Sequence, residues 1–338
     1  MKKIKIGNKL VGEGEKTFII AEAGVNHNGD FGIAKKMVKV AAEAGADAVT
    51  FQHIIGEKLN VKTEKLDLSA DLWGKWLLSD SELKKLFEYA KKLNLLCSAC
   101  VTEKENVEKI IKYGASFFKI VSGDLTYLPF LEYCATKKLP ILLSTGAATL
   151  GEIETAITTL QSKGCRDILL YHTNSGYPTP PEEVNLKVMD TLENAFRLPI
   201  GFCDHTVEII TPIVAVAMGA NVIEKHFTLN RKLKGPDYQV SLEPDELKEM
   251  IRSIRLVEKM FGSPIKNPLK YEEKTRKFAR RSVVSKVNIK KGEVITEEML
   301  TFKRPGTEIA PSFLNLVLGR RAKCDINADE IITWNMIF

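Results

Sequence analysis

Gly45-Ala46-Asp47-Ala48-Val49-Thr50-Phe51-Gln52 decides the fold. A glycine closes a helical stretch, and an apolar run starts almost at once and ends on a polar side chain. The same turn returns at Gly114-Ala115-Ser116-Phe117-Phe118 and at Gly219-Ala220-Asn221-Val222-Ile223, and Gly164 follows another helical stretch. Outward from it, apolar runs lie at 18–23, 48–52, 95–100, 117–121, 141–144, 168–172, 200–203 and 221–226. Amphipathic stretches at 32–44, 81–93, 102–113, 129–137, 150–163, 186–195, 211–218 and 244–261 follow them in turn. Most runs are continuously apolar rather than alternating, as parallel strands covered by helices require. Eight strands alternating with eight helices predict an α/β fold, a (β/α)8 TIM barrel. An open doubly wound sheet would normally carry a GxGxxG turn after the first strand, and none is present.

The punctuation agrees. Asp30 is placed to cap the first helix, and Ser79-Asp80-Ser81-Glu82 offers a cap with acidic charge in the first turn. The longest connection, 54–80, carries Trp73 and Trp76, and its length predicts a functional loop at the barrel top. We expect residues 1–261 to form the barrel domain with an N-terminal hairpin or extension at 1–17. Residues 262–277, polar and with two prolines, read as a linker, and 278–338 as a small second domain of short strands and turns.

Composition removes several classes of protein. The chain has 338 residues, 44% hydrophobic and 27% charged, the usual globular mixture. A net charge of +6, dispersed along the chain, is too weak a basis for nucleic-acid binding. No stretch is apolar for long enough to span a membrane, and no apolar run follows the basic start. Six cysteines are too few for a disulfide scaffold, so the expectation is cytoplasmic. Cys97 and Cys100 match a CxxC spacing, but on a strand they point to opposite faces and read as packing.

In such a barrel the chemistry sits at the C-terminal strand ends. Those ends carry Glu22 with Asn26-His27-Asn28, Gln52-His53, Ser98-Ala99-Cys100, Lys119 with Ser122-Gly123-Asp124, Ser144-Thr145-Gly146, His172-Thr173-Asn174, Asp204-His205 and Glu224-Lys225-His226. His205 and His226 close neighbouring strands, and two imidazoles with open positions suit a divalent transition metal completed by water and substrate. Asp204, Glu22 or Asp237 would orient a ligand or its water. An isolated histidine is more often a hydrogen-bonded structural residue, but two at matching strand ends favour the metal. Lys119 in a barrel interior is costly unless paired, which points to a carboxylate or phosphate site. Gly146 lets backbone approach an anion, or simply makes a turn.

Several motifs together resemble one family. Phe18-Ile19-Ile20-Ala21-Glu22-Ala23-Gly24-Val25-Asn26-His27-Asn28-Gly29, Lys119-Ile120-Val121-Ser122-Gly123-Asp124, Tyr177-Pro178-Thr179-Pro180, Gly201-Phe202-Cys203-Asp204-His205-Thr206, Glu224-Lys225-His226-Phe227-Thr228 and Gly235-Pro236-Asp237 resemble the N-acetylneuraminate (sialic acid) synthase family, with its legionaminate and pseudaminate relatives. The second domain resembles that family's antifreeze-like (SAF) domain, with Arg304-Pro305-Gly306 as marker. The resemblance implies a synthase of nonulosonic acids that condenses phosphoenolpyruvate with the aldehyde of an N-acyl amino sugar. It implies a domain-swapped homodimer and Mn2+ or Mg2+ on His205 and His226. By the same resemblance Glu22 is the acid that handles the reacting water, and Lys119, Ser122, Ser144 and Asn174 hold phosphoenolpyruvate. Asp124, Tyr177 and Asp237 touch the sugar, and Arg304 is lent by the partner.

Three positions depart from the family pattern. Thr50 stands where a lysine is usual, Ser98-Ala99-Cys100 replaces a Ser-Thr-Pro segment, and Cys203 replaces a serine. All three fall at usual donor-site positions, where each lost contact is worth about 1–3 kcal/mol. Either other groups such as Lys225 or Arg231 compensate, or the chain is a metal-dependent aldolase or lyase with a donor such as pyruvate. A non-catalytic carbohydrate-binding homologue is a third reading, which intact Glu22, Lys119, His205, His226 and Arg304 oppose.

Overall fold

The computed structural model describes residues 3–54, 75–233 and 237–338. Two compact units divide the chain, Met1–Phe261 and Gly262–Phe338. In the first, a hairpin of β1 (Ile4–Ile6) and β2 (Lys9–Val11) precedes eight parallel strands. These are β3 (Phe18–Gly24), β4 (Ala48–Gln52), β5 (Leu96–Cys100), β6 (Phe118–Ile120), β7 (Ile141–Ser144), β8 (Ile168–Thr173), β9 (Ile200–Asp204) and β10 (Val222–His226). Pairing of β10 with β3 closes them into a barrel. Around it lie α1 (Phe31–Ala44), α2 (Asp80–Lys92), α3 (Lys104–Tyr113), α4 (Leu128–Ala135), α5 (Leu150–Ser162), α6 (Val188–Phe196), α7 (Ile210–Ala217) and α8 (Pro244–Met260). Strand and helix ends move by only a residue or two from the expected ones. The run at 117–121, for example, shortens because Ser122–Asp124 turns into a 3-10 helix.

Alternation along each strand sorts the side chains into two cores. Outward residues such as Ile19, Val49, Phe118, Leu143, Leu170, Phe202 and Ile223 pack against helix residues such as Met37, Leu86, Leu131 and Ile254. Each such side chain, fully buried, is worth about 1.5–3 kcal/mol. Inward residues Phe18, Ile20, Ala48, Phe117, Leu142, Leu169 and Val222 fill the lower barrel together with Ile4, Ile6 and Val11. The hairpin therefore plugs the end where the strands begin. Above that plug, the inward positions become polar.

The helix signals read from the sequence are present. Asp30 accepts from the Ile33 amide, Ser79 and Glu82 form a capping box, and Gly45 and Gly114 take left-handed C-terminal positions. The 54–80 connection falls mostly outside the described residues, as do Gly235 and Pro236.

The second unit has its own core of Val283, Ile289, Ile295, Leu300, Ile309, Val317, Ala322, Ile326, Ile332 and Ile337. In it β11 (Ser282–Ser285) pairs antiparallel with β12 (Leu300–Lys303). Part of the expected linker is ordered as α9 (Glu273–Ala279). Arg304 is exposed and, with Lys274, Thr275, Phe278 and Ala279, lines a cavity of about 330 Å³ within this unit.

Candidate active site

The inward parity that buries Ile20, Ala48 and Val222 carries Glu22, Thr50, Cys100, Lys119, Ser144, Cys203 and Glu224 into the upper barrel. Lys119 is 5% exposed. Its ammonium forms a short ion pair with Glu224, lies 3.7 Å from Cys203 Sγ and sits over the Tyr171 ring at 5.2 Å. Burial opposes its charge, but the Cys203 sulfur and the Glu224 carboxylate outweigh burial and hold it well above the ordinary lysine range. Burial pushes the Cys203 thiol up to about 12, leaving it neutral near pH 7, so Glu224 is the counter-charge that matters.

Glu22 is fully buried beside this pair. Its Oε2 accepts from Thr50 Oγ1 at 2.6 Å, and its Oε1 accepts from the Gly24 amide at 2.7 Å. Burial first, and repulsion from Glu224 second, push its carboxyl up to about 8. Glu22 therefore holds a proton at neutral pH. Thr50 anchors that carboxyl where the family pattern has a second cation.

One layer nearer the mouth, the rings of His205 and His226 lie 5.5 Å apart at 43°. His205 Nδ1–H donates to the Asn174 carbonyl at 2.6 Å, which turns its Nε2 toward the barrel, 3.6 Å from Cys203 Sγ. His226 Nδ1 is buried without a hydrogen-bond partner, and Asp237 Oδ2 stands 3.7 Å away. Desolvation pulls His205 down to about 4 and His226 well below the usual histidine range, so both rings are neutral and keep lone pairs for a cation. Tyr177 stacks on His205 with ring centres 4.0 Å apart. Gly24, at φ +52°, leaves room here, since a Cβ would meet Asp237 Oδ2 at 3.0 Å and His226 Nδ1 at 3.3 Å.

Could these residues hold a divalent metal? Among the described residues no three His, Cys, Asp or Glu groups converge as a ligand set. The orphaned imidazole nitrogen beside a tautomer-locked neighbour nevertheless fits a centre with two protein ligands and open positions for water and substrate.

A hydroxyl cradle lies across the mouth. Ser122 Oγ accepts from the Gly146 amide at 3.0 Å, while Ser144 Oγ and Thr173 Oγ1 are buried without partners. Such buried hydroxyls can take a partner from a ligand or from water. A Cβ on Gly146 would lie 2.5 Å from Ser175 Oγ and 2.7 Å from Ser122 Oγ. Gly146→Ala should therefore cost about 1–3 kcal/mol by overpacking and raise the KM of the anionic substrate. An unchanged melting temperature and KM would remove the cradle from the site. Asp124 is buried near it, with Oδ2 unpaired and its carboxyl raised to about 6 by burial and by Glu103; burial also raises Asp237 to about 6.

Several sequence expectations are corrected by parity. Ala99 faces the outer core, so its missing hydroxyl is not lost from the barrel interior. Asp204 and Lys225 also face outward and pair with each other at 2.7 Å, so neither side chain enters the barrel interior and Lys225 does not stand in for the lysine usual at Thr50. Arg231 is committed to Glu246 and to the Ser241 carbonyl. Asn174 enters through its carbonyl, because its amide donates to the Glu183 carbonyl at 2.9 Å. His172 points into the helix layer, bonded to the Val184 carbonyl. Conversely, the sequence reading places Glu224 and Thr173 at the strand ends but gives them no role. Glu224 shares strand parity with His226, and that signal was available.

A buried cation, a protonated acid, two neutral imidazoles and a hydroxyl cradle gather at one end of the barrel, where enzymes of this fold carry their chemistry. Residues 37–266 match the NeuB family and 280–337 the SAF domain. The chain is 42% identical to the N,N'-diacetyllegionaminic acid synthase of Campylobacter jejuni, covering 94% of this chain and 99% of that protein. It is 39% identical to the N,N'-diacetyllegionaminic acid synthase of Legionella pneumophila, over 98% and 97%. The structure of an N-acetylneuraminic acid synthetase from Leptospira borgpetersenii superimposes with a TM-score of 0.76 at 34% identity, covering 81% of this chain and 95% of that one. The chain belongs to the NeuB family and, like these nonulosonic acid synthases, is an enzyme that forms carbon–carbon bonds.

Proposed function

We propose that this enzyme condenses phosphoenolpyruvate with the open-chain aldehyde of an N-acyl amino sugar and releases phosphate. The acceptor class follows the legionaminic acid relatives, so a diacetamido hexose is the first sugar to test. The reading is carried by Lys119 lying one layer beneath two neutral imidazoles and beside the unsatisfied Ser144 and Thr173 hydroxyls. In the reaction C3 of the enol phosphate attacks the aldehyde carbon, water adds at C2, and phosphate leaves with C–O cleavage. Lys119 and the Ser122–Gly146 cradle hold the donor's negative groups. Glu22 gives its proton to the nascent alkoxide and regains one from the adding water, so the carboxyl ends as it began. Asp124, Asp237 and Tyr177 hold the sugar. A Mn2+ or Mg2+ ion on His205 and His226 supplies Lewis-acid polarisation of the aldehyde when bound. The working form is a cytoplasmic homodimer in which the partner subunit lends its arginine at position 304.

One observation favours a second reading. The Thr50 hydroxyl is spent on Glu22, leaving Lys119 as the cation facing the donor, which suits a less charged donor such as pyruvate. The deciding assay supplies Mn2+, either donor and a panel of N-acyl hexosamines. Phosphate release with phosphoenolpyruvate supports the synthase, and pyruvate consumption without it supports the aldolase. Thr50→Lys should lower the KM for phosphoenolpyruvate about tenfold, the worth of one charge-assisted contact. An unchanged KM would show that this position does not serve the phosphate.

A further inference from the structure

Asp204 and Lys225 are each the residue immediately before a rim histidine, on the neighbouring strands β9 and β10, and both are completely buried. Their side chains leave the strands on the outer face while His205 and His226 face the mouth. Lys225 Nζ donates to Asp204 Oδ2 at 2.7 Å and to the Thr206 carbonyl. Asp204 Oδ1 accepts from the Thr206 amide at 2.9 Å, and Oδ2 accepts from the Thr206 hydroxyl at 3.1 Å. The pair thus joins both strands and grips the residue that follows His205. Its members flank one ligand from behind on each strand.

A buried ion pair is poor value as glue, since apolar side chains of similar size hold strands together as well or better. What charge adds is direction. Each bond here ends on Thr206, at the turn that aims the His205 ring, or ties the His205 strand to the His226 strand. We propose that the Asp204–Lys225 pair, through Thr206, is the positioning device that sets the separation and angle of the two imidazoles. The inference rests on reading His205 and His226 as a cation site. It assigns the pair no contact with substrate.

The test measures Mn2+ binding to the metal-free full chain by the loss of the free-ion electron paramagnetic resonance signal, alongside thermal melting. In the double variant Asp204→Leu with Lys225→Met, apolar packing replaces the charges. The expected result is a melting temperature equal to or above that of the wild type, with Mn2+ affinity lowered about tenfold to a hundredfold. A pair that merely held the fold would leave affinity intact once packing is restored, and that outcome overturns the inference. Thr206→Val keeps both charges and removes one bond to Asp204. Its Mn2+ affinity should also fall, and if the double variant does not fold, an unchanged affinity in Thr206→Val overturns the inference. A wild type that binds no Mn2+ overturns the cation reading and this inference with it, whereas normal binding by both folded variants overturns this inference alone.

Discussion

Replacing Lys119 with alanine should remove turnover and about 3–5 kcal/mol of stability together, because it leaves the Glu224 carboxylate buried without its counter-charge. Cys203 cannot take over, since its thiol is neutral near pH 7. A double variant, Lys119→Met with Glu224→Leu, separates the two effects. Packing in the barrel centre is restored, so stability should return to near the wild-type value, while turnover stays down by at least about a hundredfold for want of the donor's cation. Chemical denaturation and initial rates on the two variants decide the matter. A Lys119→Ala enzyme that still turned over phosphoenolpyruvate at a comparable rate would remove the ammonium from the donor site.

The second large effect concerns Glu22→Gln. Burial and Glu224 raise the Glu22 carboxyl from 4.5 to about 8. Below pH 4.5 the group is protonated in folded and unfolded chains alike and costs nothing. Between 4.5 and about 8 the unfolded chain gives up the proton while the folded one keeps it, so the wild type loses stability as pH rises. Above about 8 the loss is complete. Glutamine never ionises, so the variant's advantage should grow from almost nothing at pH 4.5 to a few kcal/mol at pH 8 and then level off. Its activity should fall about 10²–10⁴-fold, as expected for loss of a proton carrier. Denaturation midpoints at pH 5, 7 and 9 provide the check. A stability difference that stays flat across that range would place Glu22 in contact with water.

The barrel was legible because helix-to-strand turns repeat. Gly45, Gly114 and Gly219 mark the same left-handed exit from a helix, and the continuous apolar runs after them can only be strands covered on both sides. The polar ends of those runs gather in the upper barrel, as the alternation along the strands requires. Less legible was which side chain entered it. Ala99 and Lys225 sit next to inward residues in sequence, and reading them by proximity to a motif ignored the twofold period of a strand. Counting by twos from Ile20 and Val222 selects Glu22, Glu224 and His226 and rejects Ala21 and Lys225. Asn174 shows a different limit. It lies past the end of β8, where alternation no longer constrains direction, and its amide is taken by the Glu183 carbonyl, far off in sequence logic but close in the loop. The raised Glu22 carboxyl was not readable at all, since it depends on the burial of Glu22 and Glu224 side by side.

The hairpin of Ile4, Ile6 and Val11 gives the barrel a floor. On the proposed function, a donor held at Lys119 would lie beneath a sugar at the imidazole layer, so the donor would enter first and the sugar-derived product would leave before phosphate. Such a vessel imposes a queue on its reactants. Inorganic phosphate lingering at the bottom should compete with incoming donor, and saturating sugar should trap an empty chamber by standing in the door.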